Sequence, residues 1–314
     1  MREAALIVDN VTKRYGARPA VEGLSFSAPP GAIYGVLGPN GAGKSTTMRM
    51  IVGVLKPDAG KLTVLGAAPH IGKLPRVGYL PEERGLYRSM TPQALIAYFA
   101  RLKGMHHAAA HKRAAALLSE YGLGEWAGRK IKALSKGMAQ KVQILATIAH
   151  EPDLLLLDEP FSGLDPINQI AVEKMIRAAA AGGKTVLFST HVMEHAERMC
   201  DRILLIARGR GVFEGRVVDA LAQTPRVALL ETEGAYDLAA ALTPSGFVAV
   251  ADGEEQGLRR WRVALDAPSA SRRLLAACAA IGAPLALYEP QRATLHDAFM
   301  RMVGPEAGAD EKAA

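Results

Sequence analysis

Nine consecutive residues constrain this chain more than any others: Gly38-Pro39-Asn40-Gly41-Ala42-Gly43-Lys44-Ser45-Thr46. They fit the pattern G-x-x-x-x-G-K-[ST]. An apolar run of strand length, Ala32–Leu37, leads into them, and Lys44–Leu55 has helical character. A run that is apolar at every position has no solvent face, so it suits a strand buried on both sides. Glycines let the backbone curl until several N–H groups face one anion. The helix that follows turns its positive N-terminal end to the same anion. Lys44 can reach β- and γ-phosphates as a point charge, and Ser45 offers a hydroxyl where Mg2+ bridges them. A glycine-rich turn that merely starts a helix is the alternative. The buried strand on one side and the helix on the other are the context that favours a nucleotide cradle.

A second cluster of chemistry follows a second buried run. Leu154-Leu155-Leu156-Leu157 ends in Asp158-Glu159. An acid at the end of a buried strand is placed to serve Mg2+, and Asp158 takes that role. Glu159, one residue further on, lies beyond the strand end and can polarise a water that attacks the γ-phosphate. Two acids at an exposed strand end would be the plain reading in isolation. Beside a phosphate loop, the catalytic reading is preferred.

Composition supports a folded chain of ordinary kind. Of 314 residues, 49% are hydrophobic and 22% charged, enough for a core and too apolar for a mainly disordered chain. The longest apolar stretches, such as Leu154–Leu157 and Ile203–Ala207, are far short of a membrane span. Cys200 and Cys278 are too few and too far apart for a disulfide framework or a metal knuckle. Met1-Arg2-Glu3 and the residues after it form no apolar segment of the signal-peptide kind, so a cytosolic location is expected. The net charge of +7 is uneven: residues 1–219 hold 29 Lys and Arg against 19 Asp and Glu, and residues 220–314 hold 9 against 12. A basic front half suits a polyanion or simply a solvated surface. No basic stripe is interleaved with aromatics, which make up 5%, so nucleic acid is not an expected partner.

Along the chain, Ala4–Val11 reads as a strand, Thr12–Gly16 as a turn and Gly23–Ala28 as a second strand, closed by Pro29-Pro30-Gly31. Lys56–Gly60 reads as a turn that ends the first helix. Residues 91–150 are helical, with Thr91-Pro92 as cap and first helical residue, then Gln93–Lys103, Ala109–Tyr121 and Gly137–Ala149. Buried strands alternate with helices around 150–206, which argues for a mostly parallel sheet covered by helices. A boundary is expected near Leu221–Pro225, giving a first domain over 1–221 and a second over 226–303. The second reads as strand Val227–Glu231, helix Tyr236–Leu242, strands Phe247–Ala251 and Trp261–Leu265, helix Ser269–Ile281, strand Leu285–Tyr288 and a last helix Thr294–Val303. That order is β-α-β-β-α-β, a ferredoxin-like α+β domain. Gly304–Ala314 reads as a frayed, flexible tail.

Taken in order, these residues resemble the ATP-binding subunit of an ABC transporter. Leu134-Ser135-Lys136-Gly137-Met138 resembles the family signature, usually L-S-G-G-Q, and precedes the buried strand as that signature does. Ser162-Gly163-Leu164-Asp165 resembles the D-loop, and His191 after Thr185–Ser189 resembles the switch histidine. Tyr15, within Lys13-Arg14-Tyr15-Gly16, resembles the aromatic that stacks on adenine. The resemblance spans roughly residues 4–219 and implies an α/β P-loop NTPase fold. That fold has a RecA-like core, an antiparallel β subdomain and an α-helical subdomain, here followed by the small C-terminal ferredoxin-like domain.

The resemblance also implies a mechanism. Two such domains pair head to tail with ATP between them, Ser135 and Gly137 of one facing the phosphate loop, Asp158 and Glu159 of the other. His191 positions the attacking water beside Glu159, and Asp165 helps to link the two sites. One phosphate loop per chain means that a second copy or a paralogue is needed. Two departures stand out. Glu82, in Val77-Gly78-Tyr79-Leu80-Pro81-Glu82-Glu83, replaces the Gln of the family's Q-loop; a carboxylate can still ligate Mg2+ but adds charge and cannot donate. Lys136 replaces a signature Gly, and either adds positive charge near the nucleotide or points to solvent.

The segment Gly78–Tyr87 and the additional C-terminal domain are similar to exporter ATPases of the sodium-efflux and antibiotic-resistance type, which work with ABC-2 permeases. The implied function is an Mg2+-dependent ATPase that powers a separate integral membrane permease from the inner face of the membrane. The helical insert and the loop Glu82–Met90 would form the groove for the permease, with Leu95, Ile96, Tyr98 and Phe99 either lining it or in the core. The alternative is a soluble ATP-driven switch acting on a macromolecular partner other than a transporter. A signalling GTPase would want an Asn-Lys-x-Asp guanine reader, which the sequence lacks.

Overall fold

In a computed structural model of the chain, residues 4–70, 75–83, 85–234, 236–267 and 269–304 are described. They fall into two compact units that divide between Val217 and Val218.

The first unit is built from β1 (Leu6–Tyr15), β2 (Arg18–Ala28), β3 (Ile33–Leu37), α1 (Lys44–Ile51), β4 (Ala59–Val64), β5 (Val77–Leu80), α2 (Pro92–Leu102), α3 (His107–Glu120), α4 (Lys136–Ile148), β6 (Leu154–Asp158), α5 (Pro166–Ala181), β7 (Thr185–Thr190), α6 (Met193–Met199), β8 (Arg202–Ala207) and β9 (Arg210–Arg216). Six strands form one sheet in the order β5-β6-β7-β3-β8-β9. The first five run parallel and β9 is antiparallel to β8. Every residue of β3, β6 and β7 is buried, which is why β3 and β6 read as apolar runs and β7 has an apolar centre, Val186–Phe188. The register sets Asp158 beside Ser189, and Ser189 beside Val36. The ends of β3, β6 and β7 therefore meet at one edge of the sheet, where the phosphate loop and the acids leave it.

A smaller antiparallel sheet, in the order β2-β1-β4, packs its apolar residues into the same core. It corrects the turn expected at Thr12–Gly16. β1 continues to Tyr15, because Lys13, Arg14 and Tyr15 pair with Val21, Pro19 and Arg18 of β2, and the turn is Gly16-Ala17. Ladder hydrogen bonds are made by backbone, so a polar strand end keeps its pairing without an apolar pattern. Pro19 is tolerated because β2 is an edge strand. Helices α2, α3 and α4 pack against one another and make up the helical insert. Thr91 caps α2, accepting from the Ala94 N–H at 3.2 Å with Pro92 next to it. Leu95 and Ile96 are core residues of α2, whereas Tyr98 is partly exposed.

The second unit begins within α7 (Val217–Ala222) and continues through β10 (Arg226–Glu233), α8 (Leu238–Leu242), β11 (Ala249–Glu255), β12 (Leu258–Leu265), α9 (Ala270–Ala280), β13 (Leu285–Gln291) and α10 (Leu295–Val303). Its sheet is antiparallel throughout, in the order β11-β12-β10-β13. β10 and β11 are thus parallel strands split by β12, the ferredoxin-like arrangement. Leu230, Leu238, Trp261, Val263 and Leu274 form its core. The buried Trp261 indole N–H donates to Thr232 Oγ1 at 2.9 Å, which satisfies the one polar group that the ring brings inside. The flexible tail expected at 304–314 lies beyond the described residues from Pro305 on, as do Met1-Arg2-Glu3. No helix among the described residues is long and apolar enough to cross a membrane.

Candidate nucleotide site

The loop between β3 and α1 is shaped by close approach. A Cβ on Gly38 would run into the Ile206 carbonyl oxygen of β8. Gly43, the N-cap of α1, has φ +105, a conformation that strains any other L-residue. No side chain caps α1 and no acid stands in its first turn, so its N-terminal N–H groups are left for a ligand. Thr47 Oγ1 donates to the Gly43 carbonyl at 2.9 Å and tightens that turn.

Lys44 is nearly buried and folded back on its own loop. Its Nζ donates to the Gly38 carbonyl at 2.7 Å and the Pro39 carbonyl at 3.1 Å, and lies 3.3 Å from Glu159 Oε1. Both members of this ion pair are under 10% exposed, at 6% and 7%. A charge this far from water needs compensation, and here the two groups supply it to each other. His191 Nδ1 lies 3.1 Å from both Glu159 oxygens, while about half of its side chain faces solvent. One carboxylate thus touches a lysine and an imidazole.

Asp158 is the neighbouring focus. Its Oδ1 accepts from Ser45 Oγ at 3.2 Å and from Ser189 Oγ at 2.5 Å. Its Oδ2 is shielded and has no hydrogen-bond partner. Burial pushes the carboxyl above the usual carboxylate value, while the Ser189 and Ser45 hydrogen bonds oppose it. Glu82 Oε2 lies 3.4 Å from Ser45 Oγ. An orphaned carboxylate oxygen beside a hydroxyl and a second carboxylate is an all-oxygen donor set, which fits a hard divalent cation. Among the described residues no cluster of three or more His, Cys, Asp or Glu could cage a metal alone. Two carboxylates and a hydroxyl suit Mg2+, which keeps waters and shares phosphate oxygens.

The other residues singled out by sequence form a separate group. Ser135 caps α4, its Oγ accepting from the Met138 N–H at 3.2 Å. Asp165 caps α5, accepting from the Asn168 N–H at 3.0 Å and the Asn168 Nδ2 at 2.6 Å. Those two bonds hold its carboxyl below the usual value. Gly137 is packed so tightly against the Asn168 side chain that a Cβ there would overlap it. The Lys136 ammonium sits over Gly163, an outcome between the two readings of that lysine. Tyr15 is exposed at the end of β1. Among the described residues, none of Tyr15, Ser135, Gly137 or Asp165 is hydrogen-bonded to the Lys44–Glu159 group.

Two polar residues of the site were not read from sequence. Ser189 bonds both Asp158 and the Glu159 N–H, and Gln140 Nε2 donates to the Pro160 carbonyl at 3.0 Å. The available signal for Ser189 was a hydroxyl at the end of an otherwise apolar buried strand. A cavity of about 330 Å³ lies between β5 and the helices, lined by Leu80, Leu86, Leu95, Phe99, Gln143 and His150. His150 is pushed down to about 4, chiefly by burial and then by the Lys103 charge.

Comparison with known proteins points the same way as the site. The ABC transporter family profile matches residues 21–162. The chain is 36% identical to the Nod factor export ATP-binding protein I of Burkholderia orbicola (strain AU 1054), over 98% of this chain and 99% of that one. It is 38% identical to the linearmycin resistance ATP-binding protein LnrL of Bacillus subtilis (strain 168), over 68% of this chain and 70% of that one. A solved ATP-binding subunit of an ABC transporter superposes with a TM-score of 0.64 at 32% identity, covering 70% of this chain and 92% of that one. Likeness running the length of the chain makes this protein a member of the ABC transporter ATP-binding family, an ATPase that couples ATP to transport.

Proposed function

We propose that the chain hydrolyses Mg2+-ATP in a head-to-tail pair and drives export through a separate ABC-2 type permease, from the cytoplasmic face of the cell membrane. The single observation that carries the catalytic part is the meeting of Lys44 and His191 on the buried carboxylate of Glu159. An incoming triphosphate competes with Glu159 and the loop carbonyls for the Lys44 ammonium. As Lys44 turns to the phosphates, Glu159 loses its cation and becomes a stronger base for the attacking water. His191, anchored on Glu159 by one ring nitrogen and half exposed, offers the other to the γ-phosphate. Gly38 to Thr46 wrap the phosphates with backbone N–H groups, and Tyr15 stacks on the adenine. Ser45, Asp158 and Glu82 would hold Mg2+, which neutralises charge that develops on the phosphate oxygens.

Ser135 and Gly137 cap the nucleotide of a second copy, and Asp165 links the two sites across the pair. The N-terminal end of α4, capped by Ser135 through a single bond to the Met138 N–H and with Gly137 in its first turn, is suited to an anion supplied from outside the chain. Export is supported by the name of the relative matched over 98% of this chain, which includes the second unit. The cavity beside Leu80 and Phe99 is the place proposed for the permease.

Glu159→Gln removes the base and keeps the shape. Turnover is expected to fall by about 10²–10³ with ATP affinity retained. Turnover equal to the native chain would remove Glu159 from catalysis. Purification from native membranes is expected to bring down an integral membrane protein, and its absence would overturn the permease.

A further inference from the structure

Glu159 is left-handed, with φ +47, and is followed by Pro160. A residue with a Cβ is strained in that region, and the proline behind it restricts its choices further. Something must hold it there, since its carboxylate has to point at Lys44 and His191. One candidate stands in the neighbouring strand. Ser189 is fully buried, and the parallel register sets it directly beside Asp158. Its Oγ accepts from the Glu159 N–H at 2.9 Å and donates to Asp158 Oδ1 at 2.5 Å. A hydroxyl has one proton, and here the directions are fixed, because an amide can only donate and an ionised carboxylate can only accept.

We infer that Ser189 is a positioning residue for ATP hydrolysis, a single hydroxyl that sets both acids at once. By receiving the Glu159 N–H it fixes the left-handed turn that aims the Glu159 carboxylate. By donating to Oδ1 of Asp158, alongside Ser45, it fixes that carboxylate's rotation and leaves Oδ2 as the oxygen without a partner. Two residues later the same segment supplies His191 to the Glu159 carboxylate. β7 thus holds Glu159 by its backbone through Ser189 and by its side chain through His191. The rest of the strand's interior, Val186-Leu187-Phe188, is apolar and buried, so a hydroxyl at 189 is retained for its bonds rather than for packing. This role rests on the catalytic reading of Glu159 given above.

The test is a pair of equal-sized variants, Ser189→Thr and Ser189→Val, so that any effect of added volume is common to both. The Thr variant keeps the hydroxyl and is expected within about threefold of the native turnover, while the Val variant falls about ten- to a hundredfold below it, with unchanged ATP affinity. Amide hydrogen exchange of the nucleotide-free protein supplies a readout independent of catalysis. The Glu159 amide is expected to stay protected in the native chain and the Thr variant, and to exchange fast in the Val variant. Equal losses in both variants, or a Glu159 amide that stays protected in Ser189→Val, would overturn the inference. A Glu159→Gln protein measured in parallel separates the two claims: native turnover there defeats the catalytic reading itself, whereas a loss there together with a fully active Ser189→Val defeats only Ser189.

Discussion

The two groups of functional residues in the first unit are built on opposite principles. Around Lys44, charges are buried and satisfy one another inside the chain: ammonium against carboxylate, carboxylate against imidazole, hydroxyls against carboxylate. Around Ser135 and Asp165, the polar groups are at or near the surface and each is closed off by a local helix cap. The first group is a site with an internal stand-in for its ligand. The second has small residues at two capped helix starts, with the Lys136 ammonium over Gly163. The difference teaches what the proposed head-to-tail pair would ask of one polypeptide: one group satisfied while buried, the other at the surface for a nucleotide held by a second copy.

Substitutions should separate the two halves. Lys44→Ala breaks the buried half and is expected to have the largest effect. It deletes the phosphate cation and strands the Glu159 carboxylate without its nearest positive charge. Turnover should fall by about 10³ or more, with ATP binding weakened, as measured by steady-state hydrolysis and calorimetry. Gly137→Ala strikes the exposed half by overlap. Its Cβ displaces the Asn168 side chain, and with it the Asn168 amide that Asp165 accepts. Loss of ATP-driven pairing by about tenfold is expected, with nucleotide affinity of the single chain unchanged by calorimetry. Ser135→Ala removes the α4 cap and one hydroxyl proposed to face the partner's nucleotide, with no overlap. It should lower stability by about 1 kcal/mol in a denaturant melt and weaken pairing less than Gly137→Ala does. Effects of Gly137→Ala on single-chain affinity would show that the halves are not separate.

The last effect belongs to neither half and is confined to acid pH. The folded His150 titrates below its ordinary value of 6.5, at about 4. Between those two values the unfolded chain binds more protons, so the contribution of His150 to stability is present above 6.5 and is lost as pH falls toward about 4. His150→Gln should flatten that part of the pH–stability curve, followed by denaturant midpoints. An unchanged curve would show that His150 is not the group responsible.

The sequence revealed most where one residue type answers to one physical demand. Apolar runs marked β3, β6 and the centre of β7, because strands covered on both faces leave no polar side. Gly43 and Lys44 marked the phosphate loop, and Thr91-Pro92 the start of α2. Short strands of mixed exposure were not legible. β4 has three exposed residues of six, β5 is only four residues long, and β9 alternates weakly. Their pairing is decided by distant partners. The contact of Gly137 with Asn168 is likewise invisible, since it joins two helix starts that are separated in the chain by β6. Ser189 stands out locally only as a hydroxyl after the apolar Val186–Phe188, a position it shares with Thr190, and that does not say which group it bonds. Only the register beside Asp158 does that.

The mass of the protein in solution is the most direct test of pairing. Light scattering on Glu159→Gln with Mg2+ and ATP should give twice the mass of the nucleotide-free chain, and adding Gly137→Ala to it should return the single mass with ATP still bound. A Glu159→Gln protein that binds ATP and keeps the single mass at concentrations far above its nucleotide affinity would contradict the claim that the two halves of a site lie on different copies.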